Sequence, residues 1–234
     1  QSDERRLVID IGGRSTEMIL GFGYEPLRLE SYRLGSVSWT QRYFARGQFT
    51  TPMLRTAVIA AKAVLDEALD TFPAAEWKLA YGSSGSAGAV CEILALNGFE
   101  PDVITRPGLD WITERLLRAG NVSELRLEGL RDDRRPVLCG GLSVLHTLFE
   151  LFDLQALHRS YGALRQGALF DLIDRGSDQT DIRERTVRWL GARYAVDQAQ
   201  AERVAVLAVR LFAQVAEEDP LNGRYSRKLD WAAR

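Results

Sequence analysis

The segment from Val8 to Glu17, VIDIGGRSTE, constrains this chain more than any other. An apolar run from Leu7 to Ile11 carries one acid, Asp10, and stops at the pair Gly12-Gly13. Ser15, Thr16 and Glu17 follow at once, then a second apolar run, Met18 to Leu20, and a partly alternating run, Leu27 to Leu34. Short apolar runs separated by glycine turns predict three strands in a meander. Glycines let a backbone approach an anion and expose successive N–H groups. The hydroxyls of Ser15 and Thr16 add donors, and Asp10 and Glu17 suit Mg²⁺, directly or through water, beside a phosphate. The same residues would equally serve a plain hairpin turn with capping hydroxyls.

Two further glycine clusters follow. Trp77 to Tyr81 reads as a strand, Gly82-Ser83-Ser84-Gly85-Ser86 as a loop, and the residues to about Leu96 as a helix. Strand, glycine-rich loop and helix make one anion-binding arrangement, although a tight packing corner has the same composition. Gly140-Gly141 stands before a predicted helix, Leu142 to Phe152, and carries a weaker form of the same signal.

Around these motifs, Thr51-Pro52 opens a helix whose apolar positions Leu54, Val58, Ala61, Leu65 and Leu69 run to about Thr71. Residues 98–108 read as loop, Trp111 to Leu117 and Val122 to Leu127 as short helices, and Arg131 to Arg135 as solvated surface. Gln155 to His158 reads as a strand and Ala163 to Asp174 as a helix. The polar stretch Gly176 to Thr180 is a linker. Helices are predicted over Asp181 to Tyr194 and Asp197 to Glu218. The expected division is a mixed α/β domain over 1–176 and a helical extension over 177–234.

Several function classes fall away. With 30 basic and 32 acidic side chains the chain is near neutral, which gives no support to a nucleic-acid-wrapping surface. No apolar stretch reaches the ~18 residues of a membrane span. Two cysteines, Cys91 and Cys139, are too few for a disulfide scaffold or a zinc knuckle and suit a reducing compartment. His146 and His158, the only histidines, have no zinc-ligand spacing, and Ser84 lacks the spacing of a nucleophile elbow.

At VIDIGGRSTE and YGSSGS the chain closely resembles the exopolyphosphatase / guanosine pentaphosphate phosphohydrolase family. The likeness continues through Arg33 to Ser38, Tyr43-Phe44, Gly140-Gly141-Leu142, Tyr161 to Ile173 and Asp181 to Tyr194. The resemblance implies an actin-like (ribonuclease-H-like) ATPase fold: an α/β domain with a mixed sheet flanked by helices, followed by a short all-helical extension. It also implies that this chain is the second of two facing domains. The first, expected before Gln1, would bring another phosphate loop and the glutamate that acts as general base.

The implied chemistry is hydrolysis of a terminal phosphoanhydride of inorganic polyphosphate or guanosine pentaphosphate, with Mg²⁺ as cofactor, in the cytoplasm. Asp10 and Glu17 would hold the metal and support the attacking water, and Gly12, Gly13, Arg14, Ser15 and Thr16 would cradle phosphate. Gly82, Ser83, Ser84, Gly85, Ser86, Gly140 and Gly141 would line the far wall. A lone lobe exposes the surface its partner domain covers, so self-association into a homodimer is expected.

Two positions depart from the family pattern. Arg14 replaces a usual glycine, which is costly if the backbone there needs positive φ. Gln166 replaces a usual glutamate. The alternative is therefore a regulatory module that binds a phosphate ligand or alarmone with weakened catalysis. A third reading is that residues 1–234 alone are a structural module without turnover.

Overall fold

A computed structural model describes residues 4–23, 25–162, 164–174, 182–216 and 221–234. The opening meander is present: β1 (Arg5–Ile11), β2 (Thr16–Phe22) and β3 (Glu25–Tyr32) pair antiparallel in sequence order. Leu7, Ile9 and Ile11 of β1 and Met18 and Leu20 of β2 are fully or almost fully buried, whereas Val8, Asp10, Glu17 and Ile19 are half-exposed. Because side chains alternate across a strand, this pattern commits one face of the sheet to the core and leaves both acids on the other.

β4 (Leu79–Ser83) lies parallel to β1, β6 (Ala156–Arg159) lies parallel to β4, and β5 (Val103–Thr105) closes that edge antiparallel to β6. The resulting six-stranded mixed sheet has the order β3-β2-β1-β4-β6-β5. β1 therefore sits inside the sheet, and its C-terminal end meets the start of β2 on one side and the end of β4 on the other.

The helices correct several sequence expectations. α1 (Ser36–Tyr43) was not predicted, because SVSWTQRY buries only Ser36 and Trp39 and has no continuous apolar stripe. α2 (Thr51–Leu65) takes Thr50 rather than Thr51 as its cap, with Pro52 in the first turn. The expected single helix to Thr71 is interrupted before α3 (Ala68–Thr71), where Leu69 N–H reaches the i−3 carbonyl of Asp66. α4 (Ser84–Leu96) starts directly at the end of β4.

The predicted 98–108 loop instead contains β5 and the start of α5 (Arg106–Ala119). That start carries the same signal as α2: Thr105 Oγ1 accepts from Gly108 N–H at 3.4 Å, with Pro107 in the first turn. Val122 to Leu127 is turn rather than helix. Asn121 Oδ1 takes the Ser123 N–H at 3.0 Å, and Arg135 Nη1 takes the carbonyls of Val122 and Leu125 at 3.0 and 2.7 Å. These bonds replace a helical ladder. α6 begins at Leu138, earlier than expected, and ends at Leu151.

The chain divides into two compact units, Gln1–Ala163 and Leu164–Arg234. The second holds α7 (Leu164–Asp174), α8 (Ile182–Arg193), α9 (Gln198–Val215) and α10 (Asn222–Ala233). Arg234 at the end of α10 bonds Glu202 of α9 and Asp230 of its own helix. Gln166 is exposed on α7. The predicted linker Gly176 to Thr180 lies outside the described residues. No described helix is long and apolar enough to cross a membrane.

His146 on α6 is a packing residue. Its Nε2 lies 2.7 Å from Thr113 Oγ1 of α5, and that hydroxyl donates its one proton to the Leu109 carbonyl at 2.8 Å. The imidazole therefore carries its proton on Nε2. Burial pushes its pKa down; Asp110 and Glu150 oppose the shift and Arg106 adds to it. A depressed folded pKa means that the unfolded chain binds the proton more readily. The stabilisation is thus present above the ordinary histidine pKa of about 6.5 and is lost as pH falls through the lower folded value. Urea unfolding at pH 7.5 and 5.5 should show wild type losing stability at the lower pH and His146→Gln losing less. Equal losses would exclude this linkage.

Candidate functional site

The site is built at the C-terminal ends of β1 and β4. Asp10 and Glu17 are directly opposed in the β1–β2 ladder, Ser31 is opposite Glu17 on β3, and Ser83 is the partner of Asp10 on β4. A row of Ser31, Glu17, Asp10 and Ser83 thus crosses four strands. Opposed side chains on neighbouring strands stand roughly 5 Å apart at Cβ, and like charges in that position repel. Glu17 Oε1 accepts from Ser15 Oγ at 2.6 Å and from Ser31 Oγ at 2.8 Å. Neither acid forms an ion pair, and Asp10 has no hydrogen-bonding side-chain partner, among the described residues.

Between the two acids lies the glycine turn. Gly12 N–H closes it by donating to Ser15 O at 2.9 Å. The Gly12 carbonyl accepts from Ser36 N–H at 2.9 Å, and the Gly13 carbonyl accepts from Val37 and Ser38 N–H at 2.9 and 3.0 Å. The first amides of α1, which a helix leaves without partners, are therefore spent on the turn's carbonyls. The amides of Gly13, Arg14 and Ser15 have no backbone acceptor among the described residues. They form a run of free donors at the sheet edge, flanked by Asp10 and Glu17.

Neither Gly12, Gly13 nor Arg14 has positive φ. The backbone strain that would have made Arg14 a defect is absent, and its side chain is exposed. What the turn demands is a neighbour without a side chain. A Cβ on Gly35 would lie 2.4 Å from Arg14 N and 2.5 Å from the carbonyl carbons of Gly13 and Arg14. Thr16 differs from expectation: it is fully buried, and its hydroxyl donates to Leu34 O at 2.5 Å. It braces the chain leading to Gly35 instead of facing the turn's free amides.

The expected Gly82–Ser86 loop does not exist as a loop. Gly82 and Ser83 end β4, and Ser84 to Ser86 begin α4. Ser84 makes the junction with φ of 70°, an uncommon backbone for serine. Ser83 Oγ donates to Gly162 O at 3.2 Å. The Arg134 guanidinium lies against Gly85, where a Cβ would displace it.

Gly140 and Gly141 are both buried in the first turn of α6. A Cβ on Gly140 would meet Ser36 O at 2.2 Å and Thr40 Oγ1 at 2.5 Å, so this residue is where α1 and α6 touch and not part of an open wall. Gly141 packs between Ser86 and Ser36.

Sequence reading missed Ser31, Gly35 and the role of Arg134-Arg135. Ser31 becomes visible only through strand register, and Gly35 only through a contact across the turn. Arg134 and Arg135, expected as solvated surface, are half-buried and engaged with Gly85 and with the Val122 and Leu125 carbonyls. Among the described residues no cluster of three or more His, Cys, Asp or Glu side chains is placed to hold a metal. A cation between Asp10 and Glu17 would need phosphate or water oxygens to complete its shell. A separate cleft of about 590 Å³ lies at the C-terminal end of α1, lined by Phe44, Arg46, Asn121 and Arg135 among others, and includes neither the two acids nor the glycine turn.

A mixed six-stranded sheet with a glycine turn between its first two strands, a parallel strand beside it and flanking helices is the architecture of an actin-like α/β domain. Residues 1–176 match the Ppx/GppA phosphatase family and residues 182–234 match domain III of that family. The chain belongs to the Ppx/GppA phosphatase family.

Among its relatives, the guanosine-5'-triphosphate,3'-diphosphate pyrophosphatase of Vibrio cholerae serotype O1 is 38% identical over 218 residues, 93% of this chain and 44% of its own length. The protein so named in Aeromonas hydrophila is 35% identical over 224 residues, covering 96% of this chain and 45% of its own. The chain thus spans less than half the length of these relatives. The crystal structure of the Aquifex aeolicus family member superposes with a TM-score of 0.63 at 21% identity, over 76% of this chain and 59% of that one. An exopolyphosphatase from Cytophaga hutchinsonii gives 0.61 at 20%, over 74% and 58%. At such identities these structures establish the fold.

Proposed function

We propose that the protein carrying this chain hydrolyses terminal phosphoanhydrides, releasing phosphate from inorganic polyphosphate or the 5′-γ-phosphate from guanosine pentaphosphate. The observation that carries this reading is the run of free amides at Gly13, Arg14 and Ser15 between facing carboxylates. Those amides bind phosphate oxygens at fixed positions and bear the charge that develops on them. The Arg14 guanidinium adds a charged donor from the exposed side of the turn.

The unpaired Asp10–Glu17 couple fits Mg²⁺, with Ser15 and Ser31 holding one Glu17 oxygen and leaving Oε2 on the side of Gly12. When bound, Mg²⁺ supplies neutralisation of the phosphate charge. Asp10 and Glu17 also order the water near the phosphorus. The general base and a second phosphate loop come from a preceding domain of the same protein. Ser84 to Ser86, at the start of α4, line the side of the cradle beyond β4. The names of the Vibrio cholerae and Aeromonas hydrophila relatives support the nucleotide substrate. A cytoplasmic enzyme acting on soluble polyanions, with self-association, completes the reading.

The test is phosphate release by the full protein from polyphosphate and from guanosine pentaphosphate, with Mg²⁺ and with EDTA. Turnover of at least one substrate, abolished by EDTA, is expected, and residues 1–234 alone should give none. Binding of either polyanion without release would replace the enzyme by a phosphate-sensing regulator.

A further inference from the structure

We propose that Tyr161 is a base-stacking shelf that biases this phosphate site toward a purine nucleoside polyphosphate over a bare phosphate chain. The inference rests on the proposed phosphate site and names its substrate class.

Tyr161 follows β6 by two residues and is 67% exposed, yet its ring is held at two points. Its hydroxyl donates to Asp102 Oδ1 at 2.6 Å, and the Arg159 guanidinium lies 4.8 Å from the ring centroid. Arg159 is itself tied to Asp102, through Nη1 at 3.6 Å and through its backbone N–H to the Asp102 carbonyl at 2.8 Å. One ring face is therefore backed by a cation and the rest of the ring meets solvent. An aromatic already fixed in place loses little rotamer freedom when a ligand stacks on it.

The shelf belongs to the same edge of the sheet as the glycine turn. Ser160 N–H donates to Gly82 O at 2.8 Å, and Gly162 O accepts from Ser83 Oγ at 3.2 Å and Ser160 Oγ at 3.0 Å. Ser83 is the ladder partner of Asp10. The chain at Tyr161 stands two strand spacings from the cradle, β6 to β4 to β1, and its ring, tied to Asp102 beside β5, reaches toward the far side of β6. Shelf and cradle are thus about 10–15 Å apart, a distance that an extended nucleoside triphosphate bridges. The polar groups of the shelf are committed: the phenol to Asp102, the guanidinium to Asp102 and the ring. What remains on offer is a flat apolar face. It reads a purine by shape and stacking and does not distinguish guanine by hydrogen bonds.

Calorimetric titration of the full protein with guanosine 5′-triphosphate and with inorganic tripolyphosphate, both in Mg²⁺, isolates the contribution of the nucleoside. The nucleotide should bind about tenfold more tightly, within the range of base–aromatic stacking. Tyr161→Ala should erase that difference and leave tripolyphosphate affinity within about twofold. Tyr161→Phe, which keeps the ring, should retain most of it. Equal affinities in wild type, or a Tyr161→Ala change that weakens both ligands alike, would overturn the shelf. Failure of tripolyphosphate to bind would instead count against the phosphate cradle, with the nucleotide's dependence on Tyr161 still read separately.

Discussion

Gly35→Ala is expected to lower kcat/KM for phosphate release about a hundredfold while the fold survives, because an ångström-scale displacement of a positioning element costs roughly that much. Gly35 has φ of −141° and ψ of 158°, an extended backbone open to any residue, so the effect is steric and not conformational. The added methyl would sit 2.4 Å from Arg14 N, inside any tolerable contact. Either the turn moves or α1, whose amides hold the Gly12 and Gly13 carbonyls, moves away from it. Both outcomes disturb the free amides of Gly13, Arg14 and Ser15. The stability loss should stay near the ~1–3 kcal/mol typical of overpacking. Circular dichroism and urea unfolding separate it from global failure. Arg14→Gly, which removes a side chain that the turn does not need for its backbone, should preserve the turn and lower phosphate affinity only modestly. Full activity in Gly35→Ala would show that the turn's position does not matter to the reaction.

Asp10→Asn should have opposite effects on stability and activity. Two carboxylates face each other across β1 and β2 without a cation among the described residues, and removing one charge should stabilise the metal-free protein by ~0.2–1 kcal/mol. The same change removes one of the two proposed Mg²⁺ ligands. Wild type should melt at higher temperature as Mg²⁺ is added, since a ligand bound only to the folded state stabilises it by mass action. The variant should show little or no such rise, and phosphate release should fall by about a hundredfold or more. A variant that kept both the Mg²⁺-dependent rise and its activity would exclude Asp10 as a metal ligand. Loss of activity with the Mg²⁺ response intact would assign Asp10 to the attacking water alone.

The legible parts of this protein were the local ones. Alternating apolar residues and glycine turns marked β1 to β3, and a capping threonine with a nearby proline marked α2. The same cap at Thr105 was present in the sequence but was masked by the glycines and prolines of residues 98–108. α1 was not legible, because its stability comes from its first amides bonding the glycine turn and from Gly140 letting α6 approach Ser36 and Thr40. Neither contact leaves a periodic trace. Gly140-Gly141 looked like an anion loop because the same residue type serves close backbone approach to a ligand and close approach of two helices. Only burial separates the two uses.

The residues from Asp10 to Glu17 by themselves left a phosphate site and a plain hairpin turn equally open, and it was the ordered likeness along the whole chain that pointed to phosphoanhydride chemistry. Their functional arrangement depends on partners distant in the chain. Strand register sets Glu17 opposite Asp10 and supplies Ser31 and Ser83 as neighbours. Gly35 and α1 consume the turn's carbonyls and leave its amides free, while Thr16 is drawn inward to Leu34. Whether Arg14 is a defect could not be read from its identity, because φ at that residue is fixed by the surrounding packing. Composition and spacing specify which groups a site contains; pairing and packing between remote segments specify which of those groups remain unspent.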